Sequence, residues 1–325
     1  MRTVALEEHF VTKSFLRATG AAHAAHPAMA RLHPKLLDLG DGRITAMDES
    51  AIDVQVLSLA SMGIDSLDSP TATSLIHEVN DELGAAIREH PSRFAGLAAL
   101  NLKDLAAAAD ELERCITQHR FVGVLLDGTI DGLFLDDPRF LPVFEAAAHL
   151  GVPVYLHPAL PPPAIRHAYY SGLPGDLGFA LSIAGRGWHA ETALHTLRLI
   201  VCGLFDRLPN LQLIIGHMGE GLPYALARSS AVLSNAAPNL HQPVAGYFKS
   251  NIHITTSGYF TLPPLRCAVD VVGIDRLMFS VDYPFSPNTN GRGLLDAVST
   301  KLTPADFAAL SHGNADRLLR LHSSD

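Results

Sequence analysis

The chain has 325 residues, 48% of them hydrophobic, and a net charge of −9. That balance, with no basic cluster, argues against nucleic acid or an anionic membrane surface as partner, and no apolar run approaches the roughly 20 residues that cross a bilayer. The start of the chain lacks the basic and apolar regions of a secretion signal. The three cysteines (Cys115, Cys202, Cys267) are scattered without metal-type spacing, so a cytoplasmic protein with reduced, buried thiols is expected.

The first element is a strand over residues 3–7, "TVALE", which runs into "VALEEHF" (4–10). Alternate side chains of a strand share a face, which puts Glu7 and His9 on one side and Glu8 on the other. Residues 11–43 follow as a long loop in which His23, His26 and His33 read as solvated. Strands are then predicted over 54–60, 94–100, 121–127, 152–157, 211–217, 252–258 and 277–282. Their near-continuous apolar character is that of strands buried on both faces of a parallel sheet.

Between the strands lie helical patterns. Residues 71–89 carry Leu75, Val79, Leu83 and Ile87 on one face. Further helices are predicted over 104–118, 138–150, 191–205, 223–233, 262–272 and 303–321, the last opened by Thr303 as N-cap and Pro304 at the first position. The segment 158–187, dense in proline and glycine, reads as a shaped lid rather than a packed helix.

Eight strands alternating with helices fit a (β/α)8 barrel or an open doubly wound sheet. The position of the polar residues favours the barrel. Glu7 with His9, His157, His217 and Asp282 close the first, fifth, sixth and eighth runs, and in a barrel those ends converge on one mouth. The whole of 1–325 is expected to be one such domain, with lid-like insertions at about 11–43 and 158–187. Carboxylates and imidazoles gathered at one rim suit a divalent cation such as zinc or manganese. A site that also keeps an open position is catalytic rather than structural.

The segments "VALEEHF", "YLHP" (155–158), "GLFDRLPNLQLIIGHMGEGLPY" (203–224), "ITTSG" (254–258), "RLMFSVDYPF" (276–285) and "GNADRLLRL" (313–321) carry a resemblance along nearly the whole chain. In order and spacing it resembles the amidohydrolase superfamily, in its branch of non-oxidative hydroxybenzoate decarboxylases of the γ-resorcylate and 2,3-dihydroxybenzoate type. Its first strand carries Glu-x-His, as that branch does, in place of the His-x-His of the classical hydrolases.

The resemblance implies that Glu7, His9, His157 and Asp282 hold one divalent ion, Zn2+ or Mn2+, with no organic cofactor. It implies that His217, paired with Glu220, is catalytic, that Asp282 also gives the proton to the ring, and that Arg228 lies near the substrate. Glu8 is left to a structural hydrogen bond. The implied reaction is reversible loss of CO2 from an ortho-hydroxylated aromatic acid, run backwards by bicarbonate, in a homodimer or homotetramer.

Where the family usually continues Arg-Asn-Pro after "HP", this chain has Ala159, Leu160 and Pro161. The segment "GAAHAAHPAM" (20–29) lacks the aromatic residue that relatives place against the substrate ring, and the stretch after the fourth strand is shorter. All three changes line the expected mouth, so they bear on the choice of acid. The competing readings are a lactone or amide hydrolase on the same residues, and a non-catalytic barrel that senses an aromatic acid.

Overall fold

The computed structural model describes residues 2–24 and 27–321. Eight parallel strands follow one another round a ring: β1 (Val4–Phe10), β2 (Val54–Leu59), β3 (Phe94–Ala98), β4 (Gly123–Asp127), β5 (Val154–His157), β6 (Leu213–Ile215), β7 (Ile252–Thr255) and β8 (Leu277–Met278). The ring closes where Leu6 bridges Ser280 and the Leu6 N–H donates to the Phe279 carbonyl at 3.2 Å. The expected (β/α)8 barrel is what forms, with strands shorter than their apolar runs.

Two apolar layers explain why the runs are continuous. Val4, Leu6, Val54, Val56, Leu97, Tyr155, Ile214 and Met278 fill the barrel interior. Their alternating neighbours Phe10, Leu57, Val124, Leu156, Ile215 and Ile252 pack outward against the helices. Both faces of each strand are thus removed from water. The helix Asn314–Leu319 stoppers the lower end, placing Ala315 and Leu319 in the interior layer.

The helix expected over 71–89 runs Ser69–Glu89 and buries Leu75, Val79 and Leu83, with the Asp68 side chain capping Thr71. Thr303 does accept the Asp306 N–H. The stretch it opens is not one helix, however: a wide π turn at Ala309–Gly313 divides Pro304–Ala308 from Asn314–Leu319. Such a turn changes where carbonyls point, and the Leu310 carbonyl accepts the Phe279 N–H at 3.0 Å.

The two long insertions are more ordered than their composition suggests. The first contains helices Lys13–Ala24, Pro27–Leu36 and Asp41–Asp48, which bury Phe15, Leu36 and Met47. His33 is half-buried rather than solvated, while His26 and the side chain of His23 lie outside the described residues. The second contains Pro163–Tyr170 and Leu177–Ser182 and runs into Gly187–Val201, four residues ahead of the predicted start at 191. Pro163 follows the N-cap position, where a missing N–H costs nothing. Helices Val244–Ser250 and Asn288–Ser299 had no counterpart in the sequence reading. All three thiols are free, but only Cys115 is buried; Cys202 is exposed and Cys267 half-buried.

Candidate active site

The site begins with an irregularity in β1. Ala5 pairs with Gln55 and Glu8 with Leu57, so β1 spends one more residue than β2 over this interval. Glu7 takes up the extra residue with φ +60, the left-handed backbone of a bulge. Val4 and Leu6 already face the interior. Plain alternation from Leu6 would turn Glu7 and His9 outward; the bulge sends Glu7 and then His9 inward. Glu8 faces the other way, its oxygens accepting the N–H groups of Val281 at 2.9 Å and Tyr283 at 3.0 Å.

Glu7 is fully buried, and its Oε2 accepts from Ser257 Oγ at 2.5 Å and from the Tyr155 hydroxyl. Its Oε1 has no hydrogen-bond partner, and neither has Nε2 of buried His9. The other nitrogen of His9 meets Ser58 Oγ at 3.2 Å. Each residue therefore has one atom tied down and one bare, and a bare buried polar atom is costly unless something charged sits against it.

Around these bare atoms, His157 Nε2 lies 3.4 Å from Glu7 Oε1, and Asp282 Oδ1 lies 3.3 Å from His9 Nε2. Four donors at ordinary metal–ligand distances on a tetrahedron stand about 3.4 Å apart. Glu7, His9 and His157 bring one donor each within 4.8 Å of one another. Asp282 falls outside that common radius and closes the group from the His9 side. This donor set fits a divalent metal ion. Burial opposes ionisation of Asp282, but the neighbouring imidazoles of His217 and His9 outweigh it and hold the acid at about 2.

Asp127, at the end of β4, accepts or shares a proton with His157 Nδ1 at 3.0 Å and is itself held by Ser61 Oγ at 2.5 Å. It fixes which nitrogen of His157 turns to the centre, as carboxylates behind ligand histidines do. Burial pulls the His157 pKa down, but the bond to Asp127 and the charges of Asp127 and Glu7 raise it overall. Sequence reasoning missed Asp127 although it closes the fourth run; its strand-end position was the available signal.

His217 and Glu220 meet at 2.9 Å through Nδ1 and Oε1, but not across a helical turn. His217, Met218, Gly219, Glu220 and Gly221 all have positive φ, and the helix starts only at Leu222. The second Glu220 oxygen takes Nδ1 of His189 at 2.6 Å. Trp188 Nε1–H can only donate, and it donates to His189 Nε2 at 3.1 Å; the His189 proton is thereby on Nδ1, facing Glu220. Glu220 is thus a buried carboxylate gripped by two imidazoles. Burial raises its pKa, yet His217 and His189 pull it below the ordinary value. His217 in turn is depressed by burial but driven well above its usual value by Glu7, Glu220 and Asp282. Its Nε2 lies 3.6 Å from Glu7 and 3.8 Å from Asp282. His189 was invisible in the sequence because it falls between the lid read over 158–187 and the helix predicted from 191.

Arg228 lies on the exposed side of the helix Leu222–Ala236, two turns beyond Glu220, and its side chain has no hydrogen bond or ion pair among the described residues. Phe285, 40% exposed, places its ring 5.3 Å from His9 at the open side of the centre.

A family model described as amidohydrolase matches residues 22–321. The chain belongs to the amidohydrolase family. Among curated amidohydrolase relatives, it is 36% identical to decarboxylase orsB of Emericella nidulans, over 98% of this chain and 97% of that one. It is 35% identical to the γ-resorcylate decarboxylase of a Polaromonas species, over 98% of both. A crystal structure of a dihydroxybenzoic acid decarboxylase from Polaromonas, with manganese and 2-nitroresorcinol bound, superposes with a TM-score of 0.88 at 33% identity, covering 99% of this chain and 98% of that one. The amidohydrolase β1 carrying Glu7 and His9 precedes the family-model match and is covered by these full-length likenesses.

Proposed function

We propose that the protein is a divalent-metal-dependent, non-oxidative decarboxylase of an aromatic carboxylic acid with an ortho hydroxyl. The observation that carries this reading is the pair of bare, buried atoms, Glu7 Oε1 and His9 Nε2, facing His157 and Asp282 beside a separate proton-bearing pair, His217–Glu220. Glu7, His9, His157 and Asp282 are the ligand set. Manganese or zinc suits two carboxylates and two imidazoles, and the Polaromonas neighbour holds manganese. An ion bound there supplies positive charge against the substrate's carboxylate and phenol oxygens.

The chain's own residues then do the proton work. Direct C–C cleavage would leave an aryl carbanion, so the ring carbon bearing the carboxylate is protonated first. Asp282, a strong acid when protonated, gives that proton after receiving one as the substrate docks, from the phenol by way of His217 or from bulk water. The C–C bond then breaks, its electron pair restores the aromatic ring, and CO2 leaves. His217 Nε2 takes or holds the phenol proton while Glu220 accepts from Nδ1. Arg228 supplies a cation at the mouth for the incoming acid.

The exposed apolar side chains Tyr169, Leu173, Leu177 and Tyr224 support assembly into a homodimer or homotetramer. No helix among the described residues is long and apolar enough to cross a membrane, and a cytoplasmic enzyme without organic cofactor is the reading that goes with this chemistry. Hydrolysis of a lactone or amide has only the family description behind it, whereas the full-length relatives named above are decarboxylases.

The test is a mass-spectrometric screen of hydroxylated aromatic acids with and without added manganese, reading CO2 loss. On the acid that responds, Asp282→Asn should still bind a nitro-substituted analogue but stop both CO2 release and deuterium uptake at the target ring carbon in D2O. Exchange at the wild-type rate in the variant would remove Asp282 as the acid.

A further inference from the structure

The barrel has a second polar chamber at its opposite end. Gln212, His253 and Arg276 stand at the N-terminal ends of β6, β7 and β8, whereas the site above occupies the C-terminal ends. With Arg317 and Arg320 they line a cavity of about 550 Å³ beneath the barrel, within the size range of small-molecule sites.

The chamber is rich in donors and short of acceptors. Arg276 Nη1 donates to His253 Nε2 at 3.0 Å and to Gln212 Oε1 at 3.3 Å. Gln212 Oε1 also lies 3.2 Å from His253 Nε2, which leaves the second ring nitrogen, Nδ1, outside this cluster. That Nδ1 is buried and has no hydrogen-bond partner, in a residue only 4% exposed. Arg320 lays its guanidinium over Gly151, where a Cβ would come within 3.0 Å of Nη2. Arg317 Nη2 is held by Asn314 Oδ1 at 2.8 Å and the Asp275 carbonyl at 3.3 Å.

None of the three guanidinium groups has an ion-pair partner among the described residues, and Asp275, exposed, is the one carboxylate among the lining residues. Burial and then the charge of Arg317 press the Arg276 pKa below its usual value, and the opposing charge of Asp275 does not offset them. In a protein of net charge −9, three guanidinium groups lining one cavity lack a carboxylate counter-ion among the described residues.

We infer that this lower chamber is a binding site for a small multivalent oxyanion, inorganic phosphate or a phosphate ester, held by Arg276, Arg317 and Arg320. Arginine forks match the geometry of such oxygens. The site is separate from the Glu7–Asp282 centre, and its occupancy links to stability by mass action.

The experiment is calorimetric titration of the metal-loaded, full-length protein with inorganic phosphate, repeated on Arg317→Gln and Arg320→Gln. Both arginines are exposed, so the variants should fold. Saturable binding is expected in wild type, weakened about tenfold or more in each variant by loss of a charged hydrogen bond, with bound-metal content unchanged. Addition of sulfate should compete. Absence of saturable binding in wild type overturns the inference, as does binding that is as tight in both variants, which would place the phosphate elsewhere.

Discussion

Glu7 and Glu8 are adjacent in the chain, yet their carboxylates serve opposite sides of the β1 wall. Glu7 Oε2 is anchored to Ser257 and Tyr155 in the interior while its Oε1 stays bare. Glu8 reaches sideways to the N–H groups of Val281 and Tyr283, the residues that flank Asp282. One acid offers a bare atom to the centre, and its neighbour fixes the backbone that presents Asp282.

Glu8→Ala should therefore damage both stability and metal binding. It strands two buried N–H groups, at roughly 1–3 kcal/mol each. Urea unfolding of the metal-free protein should show the loss, and chelator competition should show weaker metal retention because Asp282 is no longer anchored on both sides. Unchanged metal affinity in a folded Glu8→Ala protein would mean that the Asp282 position does not depend on this clamp.

Asp127→Ala removes the partner of His157 Nδ1 without touching a proposed ligand atom. Metal affinity should fall by about 10- to 100-fold, the range for carboxylates behind ligand histidines, while thermal stability of the metal-free form changes little. The measurement is metal content after dialysis against graded chelator.

His217→Ala should keep the metal and lose turnover by about 100-fold or more, as expected for loss of an acid–base group. His189→Phe leaves His217 in place but frees one oxygen of Glu220. A smaller fall in kcat is expected, about tenfold, with a shifted pH–rate profile and little change in KM. A His189→Phe profile identical to wild type would reduce His189 to packing.

The pH dependence of stability should carry a signature of His195. It is 1% exposed and accepts the Leu135 N–H on Nε2 at 2.9 Å. Burial, with Arg198 and against Asp136, holds its pKa at about 4. Unfolded histidine titrates near 6.5, so between these values the unfolded chain binds the extra proton. Stability then falls as pH drops from about 6.5 to about 4, by roughly 3 kcal/mol in all. In His195→Gln, which keeps an acceptor for Leu135, urea midpoints at pH 7 and pH 5 should differ less than in wild type. An equal difference would refute the assignment.

The order and identity of the eight strands were legible because a strand buried on both faces writes itself as a local apolar run. The placement of Glu7, His9, His157, His217 and Asp282 at the ends of such runs was equally local, so the convergence of these residues on one rim could be read from the chain. Helices in the insertions were harder to see: Phe15, Leu36 and Met47 are too widely spaced among alanine, glycine and proline to declare a face.

Tertiary structure alone decided which way Glu7, His9, His157 and Asp282 point. The inward turn of Glu7 and His9 depends on a bulge set by pairing with β2, and a one-residue change of register reverses every side chain after it. Asp127 and His157, or His189 and Glu220, become partners only when distant strands and helices are stacked. Arg228 matches a pattern in sequence, yet its surroundings are set by how its helix packs. Local chemistry names the donors, but the direction of each donor atom is fixed by hydrogen bonds to residues far away in the chain.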